Sequence, residues 1–307
     1  MNTQSNAMPD AFDSQGISPT PMSATRPFYW CLRRELWEHR SLFIAPLAVS
    51  GFVLLGFLIG LLAHRMSALV PPDITDKPGE LVQPYEFAAG LFMFTQMLLG
   101  LFYCLDALHG ERRDRSILFW KSLPVSDLTT VLSKATIVIV VLPLITFAFT
   151  VATQFAMLLL NSGVRLASGQ SVAVLWTQVP LFQMCVPLFY HLLAVHGFWY
   201  APFFGWLLLV SAWARRAPFL WATVPLLAIG LVERIAFHTL HFCSLLGNRL
   251  STSGQDAMAP PGRMPIDPMT HLTPLRFLSS PGLWFGLLFM AVCLLLAARL
   301  RHYREPV

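Results

Sequence analysis

The sequence predicts an all-α, polytopic membrane protein with six transmembrane helices and both termini in the cytoplasm. Three observations predict it. Only 12% of the 307 residues are charged and 55% are hydrophobic. A soluble domain carries roughly 25% charged residues, so this chain lacks the polar surface to coat a globule in water, and lipid must be its solvent. From Trp30 onward, apolar runs recur at about the 20-residue length a helix needs to cross hydrocarbon. The basic residues alternate between connectors. Arg26, Arg33, Arg34, Arg40, Arg112, Arg113, Arg115, Lys121, Lys134, Arg215, Arg216, Arg299, Arg301 and Arg304 fall on one side, against Arg65, Lys77, Arg165, Arg249, Arg263 and Arg276 on the other. A ratio of 14 to 6 places the first set in the cytoplasm.

Residues 1–26 are polar and rich in Ser, Pro, Thr and Met, with no basic segment leading into an apolar core. They predict a disordered cytoplasmic tail rather than a signal peptide. Residues 27–307 form the membrane domain. Residues 28–40 begin it as an amphipathic inner-surface helix: Phe28, Leu32, Leu36 and Trp37 follow helical spacing, and Arg33, Arg34, Glu35 and Glu38 lie largely off that stripe. A plain helical extension of the first span fits the same residues. Span one is expected at Leu42–Ala63, span two at Phe87–Leu105 and span three at Ala135–Leu160. No charge occurs between Arg165 and Arg215, about twice one span. Pro180 and Pro187 divide that stretch, so Val172–Val186 reads as an outer-surface or re-entrant helix and Leu188–Ala212 as span four. Span five begins near Phe219, and span six is Leu283–Ala298. Pro260, Pro261, Pro265, Pro268 and Pro274 interrupt the outer region 241–281, which cannot be a single helix.

The connector 109–134, HGERRDRSILFWKSLPVSDLTTVLSK, is the most informative segment. Glu111, Arg112, Arg113, Asp114 and Arg115 are expected to project into the cytosol. The apolar patch Ile117, Leu118, Phe119 and Trp120 follows, and Pro124 forces a turn. Ser126 is suited to cap the next helix, with Asp127 in its first turn at the positive end of the dipole. A short aromatic helix between charged flanks can dock a soluble partner. Equally, it can anchor the loop with Phe119 and Trp120 among lipid headgroups.

This connector resembles the one in ABC-2 type permease subunits: GERRDRSILFWKSLPVS is similar to that family's E-R-[RE]-x-G-[ST]-[IL]…S-L-P-[VI]-S pattern, with Arg115 where the family usually has Gly. Trp199–Pro225, WYAPFFGWLLLVSAWARRAPFLWATVP, is similar to a bacterial subgroup of the same family. The resemblance implies an ABC-2 type permease fold in the bacterial inner membrane. It also implies a homodimer or a pair of related permeases, two cytoplasmic ATP-binding-cassette ATPase subunits as partners, and export of a substrate. Glu111, Arg112, Arg113, Asp114, Ile117, Phe119, Trp120 and Pro124 would then form the ATPase-coupling surface. The family places spans two and five nearest the two-fold axis, which makes Thr95 and Gln96 candidates for the translocation path.

No catalytic cluster and no cofactor site is expected. G-x-x-x-x-G-K-[ST] is absent, so ATP hydrolysis would belong to another chain. The scattered basic residues argue against nucleic acid. The five cysteines have no paired spacing. Metal is not expected either: H-E-x-x-H is absent, and His191 and His196, five apart, should point to different helical faces. Glu233 and Arg234 follow an apolar run. Span five reads either as ending near Leu231, with both at the outer headgroups, or as carrying them deeper to pair with neighbouring helices or line the path. Thr95 and Gln96, with Thr146, Thr150, Thr153 and Gln154, can line a path or hydrogen-bond between helices, and inter-helix bonding is the simpler general reading.

Overall fold

The computed structural model describes residues 25–67, 78–114, 125–251 and 274–303, and within these every regular element is helical. The helices are α1 (Thr25–Glu38), α2 (Ser41–Ser67), α3 (Pro78–Ala107), α4 (His109–Arg113) and α5 (Asp127–Thr136). A π-helical turn, π1 (Ile137–Val141), joins α5 to α6 (Leu142–Ala167). There follow α7 (Ala173–Gln178), α8 (Leu181–Tyr190), a longer π segment, π2 (His191–Trp199), and α9 (Ala201–Trp213). The chain then forms α10 (Pro218–Phe237), α11 (His241–Ser251), α12 (Pro274–Ser279) and α13 (Pro281–Tyr303).

Among the described residues, six helical stretches are long and apolar enough to cross a membrane: Ser41–Ala63, Leu81–Arg113, Asp127–Ala167, Leu175–Trp199, Pro218–Phe237 and Pro281–Tyr303. The outer surface agrees with lipid as the solvent, since Phe52, Leu227 and Phe285 are 70%, 71% and 71% exposed. Water would not tolerate such a continuous apolar coat.

The continuous rod from Asp127 to Ala167 has 41 residues. At 1.5 Å per residue it is about 60 Å long, twice a hydrocarbon core, so it projects beyond the core at one or both ends. The widening at π1 has a local cause. In α register the Ile139 carbonyl would receive the N–H of residue 143, which is proline. Widening by one residue moves that demand to Leu144 and relieves the ring clash. At π2, Gly197 packs directly on π1: a Cβ there would lie 2.7 Å from the Ile139 oxygen. Two irregular turns thus meet backbone to backbone inside the bundle. On a different helix pair, Gly205 lets α9 approach α13, where a Cβ would stand 3.0 Å from Met290 Cα.

The fourth membrane segment differs from the sequence expectation. The chain breaks at Val179–Pro180, as expected, and again at Tyr200, but not at Pro187, which lies inside α8. The expected span Leu188–Ala212 is therefore cut at Tyr200, its first part lying in α8 and π2 and its second in α9.

The main core gathers where α3, α5, π1, π2, α9 and α13 meet, around Cys104, Val131, Ile137, Val138, Leu142, Val195, Leu208 and Ala297. A second cluster, around Val53, Tyr85, Met157, Leu158 and Leu175, joins α2, α3, α6 and α7. By contrast α10 is peripheral, with only Ala222 and Gly230 buried. All five cysteines are free thiols.

Candidate functional site

Both described chain ends, α1 and the last turn of α13, meet at one end of the bundle together with α4 and the start of α5. The site is built there from charges that the sequence scatters over the whole chain. Glu35 of α1 accepts from Lys134 Nζ at 2.7 Å through Oε1 and from the Tyr103 hydroxyl at 3.1 Å through Oε2. Lys134 also reaches Glu111 Oε1 at 3.1 Å. Glu111 Oε2 accepts from Arg301 Nη1, and Arg34 Nη2 stands 3.5 Å from Oε1. Arg301 Nε donates to Asp127 Oδ1 at 2.9 Å, and Arg34 also forks onto Glu38, its Nε donating at 2.7 Å. Lys134, Glu35, Arg301 and Glu111 are 1%, 1%, 4% and 6% exposed at the side chain.

Such burial is tolerable only because each charge meets opposite charge and hydrogen bonds. Every carboxylate in the chain Glu35–Lys134–Glu111–Arg301–Asp127 contacts at least one cation. The network ties α1, α4, α5 and α13 into one base, from which both described ends of the 109–134 connector emerge. At its far edge Ser126 caps α5, its Oγ accepting from Thr129 N at 3.1 Å, as the sequence predicts.

The other member of the base is Arg112. Its Nη1 donates to the Ala212 and Ala214 carbonyls at 2.8 and 3.3 Å. These are orphan acceptors at the C-terminus of α9, where a cation also suits the dipole. Ser211 completes the joint, accepting from Leu108 N at 3.1 Å and His109 N at 2.9 Å and donating to the Leu105 carbonyl at 2.8 Å.

Glu111 and Arg112 therefore turn inward, against the expectation that they project outward with their neighbours. Only Arg113 and Asp114 of that run are exposed among the described residues, paired with each other at 3.1 Å. Ile117, Phe119, Trp120 and Pro124 lie outside the described residues. On α1, Glu35 is on the buried face, not off it, because Lys134 and Tyr103 await it there. Trp37 is 69% exposed, with Arg33 stacked 4.8 Å over its ring. Glu35, Glu38 and His39 bring one ligand atom each within 4.8 Å of the others. Lys134 and Arg34 already hold the two carboxylates, so the trio belongs to the ion network.

The opposite end holds a second device that the sequence reading missed. At Tyr200 the amides of Phe203 and Phe204 both bond to the Tyr200 carbonyl, at 3.0 and 3.3 Å. The Trp199 carbonyl thereby loses its helical donor. Arg249 of α11 supplies two, Nε at 3.2 Å and Nη2 at 3.0 Å, while Nη1 donates to the Gly282 carbonyl at 2.7 Å. The guanidinium lies 4.2 Å over the Trp199 ring, and Trp199 Nε1 donates back to the Arg249 carbonyl at 3.0 Å. Gly286 leaves the room: a Cβ there would be 2.2 Å from Nη2.

The other end of α11 is fastened by Glu233, which accepts from Thr239 Oγ1 at 2.9 Å, His241 N at 2.7 Å and Phe242 N at 2.8 Å. This carboxylate caps the next helix instead of pairing with a charge on a neighbouring one. α10 continues past Leu231 to Phe237, and Arg234 is exposed. α11 is thus a strap joining peripheral α10 to α9 and α13.

The polar residues of the spans divide. Thr153 bonds across to Ser50 at 2.7 Å, and Gln154 Nε2 donates to the Tyr85 carbonyl at 3.1 Å, both inter-helix as expected. Thr95 and Thr150 instead bond to carbonyls of their own helices, at 2.8 Å each. Gln96 is 2% exposed, and neither of its amide atoms has a partner among the described residues. His191 and His196 come together, their ring centroids 5.3 Å apart, because a π-helix brings residues five apart onto one face. The expectation of different faces rested on α geometry. Comparison with protein families, with curated proteins and with solved structures gave no match.

Proposed function

We propose that the chain is the transmembrane permease subunit of an ATP-binding-cassette exporter of the ABC-2 type. It works as a pair of permeases with two cytoplasmic ATPase subunits, in a bacterial inner membrane, with both termini in the cytoplasm. The connector pattern E-R-R-D-R-S-I…S-L-P-V-S and the 14-to-6 basic asymmetry support this reading. The observation that carries it is the buried ion network at the base of the connector. Force applied to residues 115–124 by a soluble partner enters a rigid base that includes α1, the ends of α3 and α5, and α13. A loop that only sat on headgroups would need no such base. Coupling then runs from Phe119 and Trp120, through Glu111 and Arg112, into α9 and α13.

The test is co-purification with the cytoplasmic ATPase, followed by substrate-stimulated hydrolysis and transport. Phe119→Asp should leave the permease inserted and dimeric while the ATPase dissociates or hydrolyses without transport. Wild-type binding and transport in that variant would remove the loop from the mechanism. A second reading, a non-transporting anchor that recruits a cytoplasmic partner through the same loop, draws on the same ion-locked base, which suits a static platform as well as a lever. Transport by the reconstituted complex separates the two.

A further inference from the structure

An apolar groove of about 300 Å³ opens between α9 and α13, walled by Trp206, Leu209, Val210, Trp213, Leu296 and Leu300. It lies in the half of the bundle that carries α1 and the last turn of α13. Beside it, sharing Trp213, is a smaller hollow of about 190 Å³ that reaches Arg215 and Trp221. Trp213 and Trp221 stand edge to face with centroids 4.7 Å apart, and Trp206 Nε1 donates to the Ala222 carbonyl at 3.1 Å. The walls are therefore held by the start of α10. Arg215, Arg216 and Arg299, on the flanking ends of α9 and α13, are exposed, and none makes an ion pair with a described residue. They contrast with Arg34, Lys134 and Arg301 nearby, each matched to a carboxylate.

We propose that this groove is a binding site for one acyl chain of an anionic glycerophospholipid, with its headgroup phosphate held by Arg215, Arg216 and Arg299. Hydrocarbon fits walls with no polar side chain except the indole edges, and tryptophan at the mouth suits headgroup depth. Basic pockets between membrane helices on the cytoplasmic side select anionic headgroups for this reason. A second copy of this chain is the weaker occupant. The chain carries net charge +5 and would bring the same arginines to the same membrane level. The site takes its leaflet from the orientation proposed above, but its chemistry does not depend on that orientation or on any ATPase.

The purified full chain, in neutral detergent, is titrated with phosphatidylglycerol and with phosphatidylcholine of identical acyl chains, and bound lipid is counted by native mass spectrometry. Each arginine at a membrane surface contributes about fivefold in affinity, so phosphatidylglycerol should bind on the order of a hundredfold tighter. Arg215→Ala/Arg216→Ala/Arg299→Ala should bring the ratio near one while phosphatidylcholine still binds. Arg299→Ala alone, which leaves the turn after α9 intact, should lower the ratio about fivefold. Leu296→Trp, which fills the groove and keeps every charge, should weaken both lipids. Equal affinity for the two lipids overturns the proposal, as does selectivity that survives loss of the arginines. A dimer that excludes lipid and falls apart on Leu296→Trp would assign the groove to a second copy instead.

Discussion

Removing the carboxylate of Glu111 tests the buried network most directly. The side chain is 6% exposed, and three cations converge on it: Lys134 at 3.1 Å, Arg34 at 3.5 Å and Arg301. Glu111→Ala leaves Lys134 and Arg301, at 1% and 4% exposure, each short of one counter-charge. Breaking a buried pair from one side costs about 3–5 kcal/mol, because an uncompensated charge stays behind. Here Lys134 keeps Glu35 at 2.7 Å and Arg301 keeps Asp127 at 2.9 Å, which points to the lower end of that range. Glu111→Ala is therefore expected to cost on the order of 3 kcal/mol. The assay is equilibrium unfolding in mixed micelles followed by tryptophan fluorescence, with a double-mutant cycle joining Glu111→Gln and Arg301→Gln. A coupling between about 0.5 and 3 kcal/mol marks a shared network. A loss below about 1 kcal/mol with no coupling is what an exposed ion pair gives, and it would refute the burial reasoning.

Four further outcomes follow from the same structure. In a cysteine-free background, Arg115→Cys and Arg215→Cys should resist impermeant thiol reagents applied from outside while Lys77→Cys and Arg263→Cys label; the reverse pattern would invert the orientation. Gly286→Ala should act like Arg249→Ala, since the new methyl occupies the guanidinium's place 2.2 Å away. Both should loosen α11, raising protease cleavage of the outer connector at unchanged membrane level, and a wild-type digestion pattern in either would remove Arg249 from that role. Gly197→Ala should cost about 1–3 kcal/mol in the same unfolding assay, because its Cβ meets the Ile139 oxygen at 2.7 Å. Native mass of the complete complex should show two copies of this chain, and full transport with one copy would contradict the pairing.

What was legible in the sequence follows from how local each determinant is. Apolar runs of about 20 residues are read directly from composition, and six long apolar helices stand where six were expected or overlap them. The Ser126 cap was legible because a cap is a relation over three residues. Register failed where it departs from α. The position of Pro143 is visible in the sequence, but that the chain there widens into a π turn, and that a second π segment brings His191 beside His196, depends on what packs against them. Arg249 was equally hidden. Its acceptor exists only because the chain breaks at Tyr200 and two amides turn to the same carbonyl.

The charges show the limit most sharply. Fourteen basic residues on alternate connectors and the terminal segments give an orientation signal that ignores pairing, because the rule counts Lys and Arg whether or not an acid neutralises them. Among the described residues, structure divides that set by pairing. Lys134 finds Glu35 across 99 positions, Arg34 finds Glu111 across 77, and Arg301 finds Glu111 across 190. No local pattern encodes such partners. The residues meet because α1, α4, α5 and α13 end together, and burial then makes each pair obligatory. Arg215, Arg216 and Arg299 remain exposed with no described acid opposite, which is why the lipid proposal rests on them. One sequence feature, a surplus of basic residues at one end, thus does two physical jobs. The paired cations build the base of the connector, and the unpaired ones set the electrostatics of the surface around it. Neutralising Glu111 should therefore disturb stability while leaving lipid selectivity intact, and neutralising Arg215, Arg216 and Arg299 should do the reverse. Unfolding and lipid titration on the same two variants would show both effects in either variant if the division were wrong.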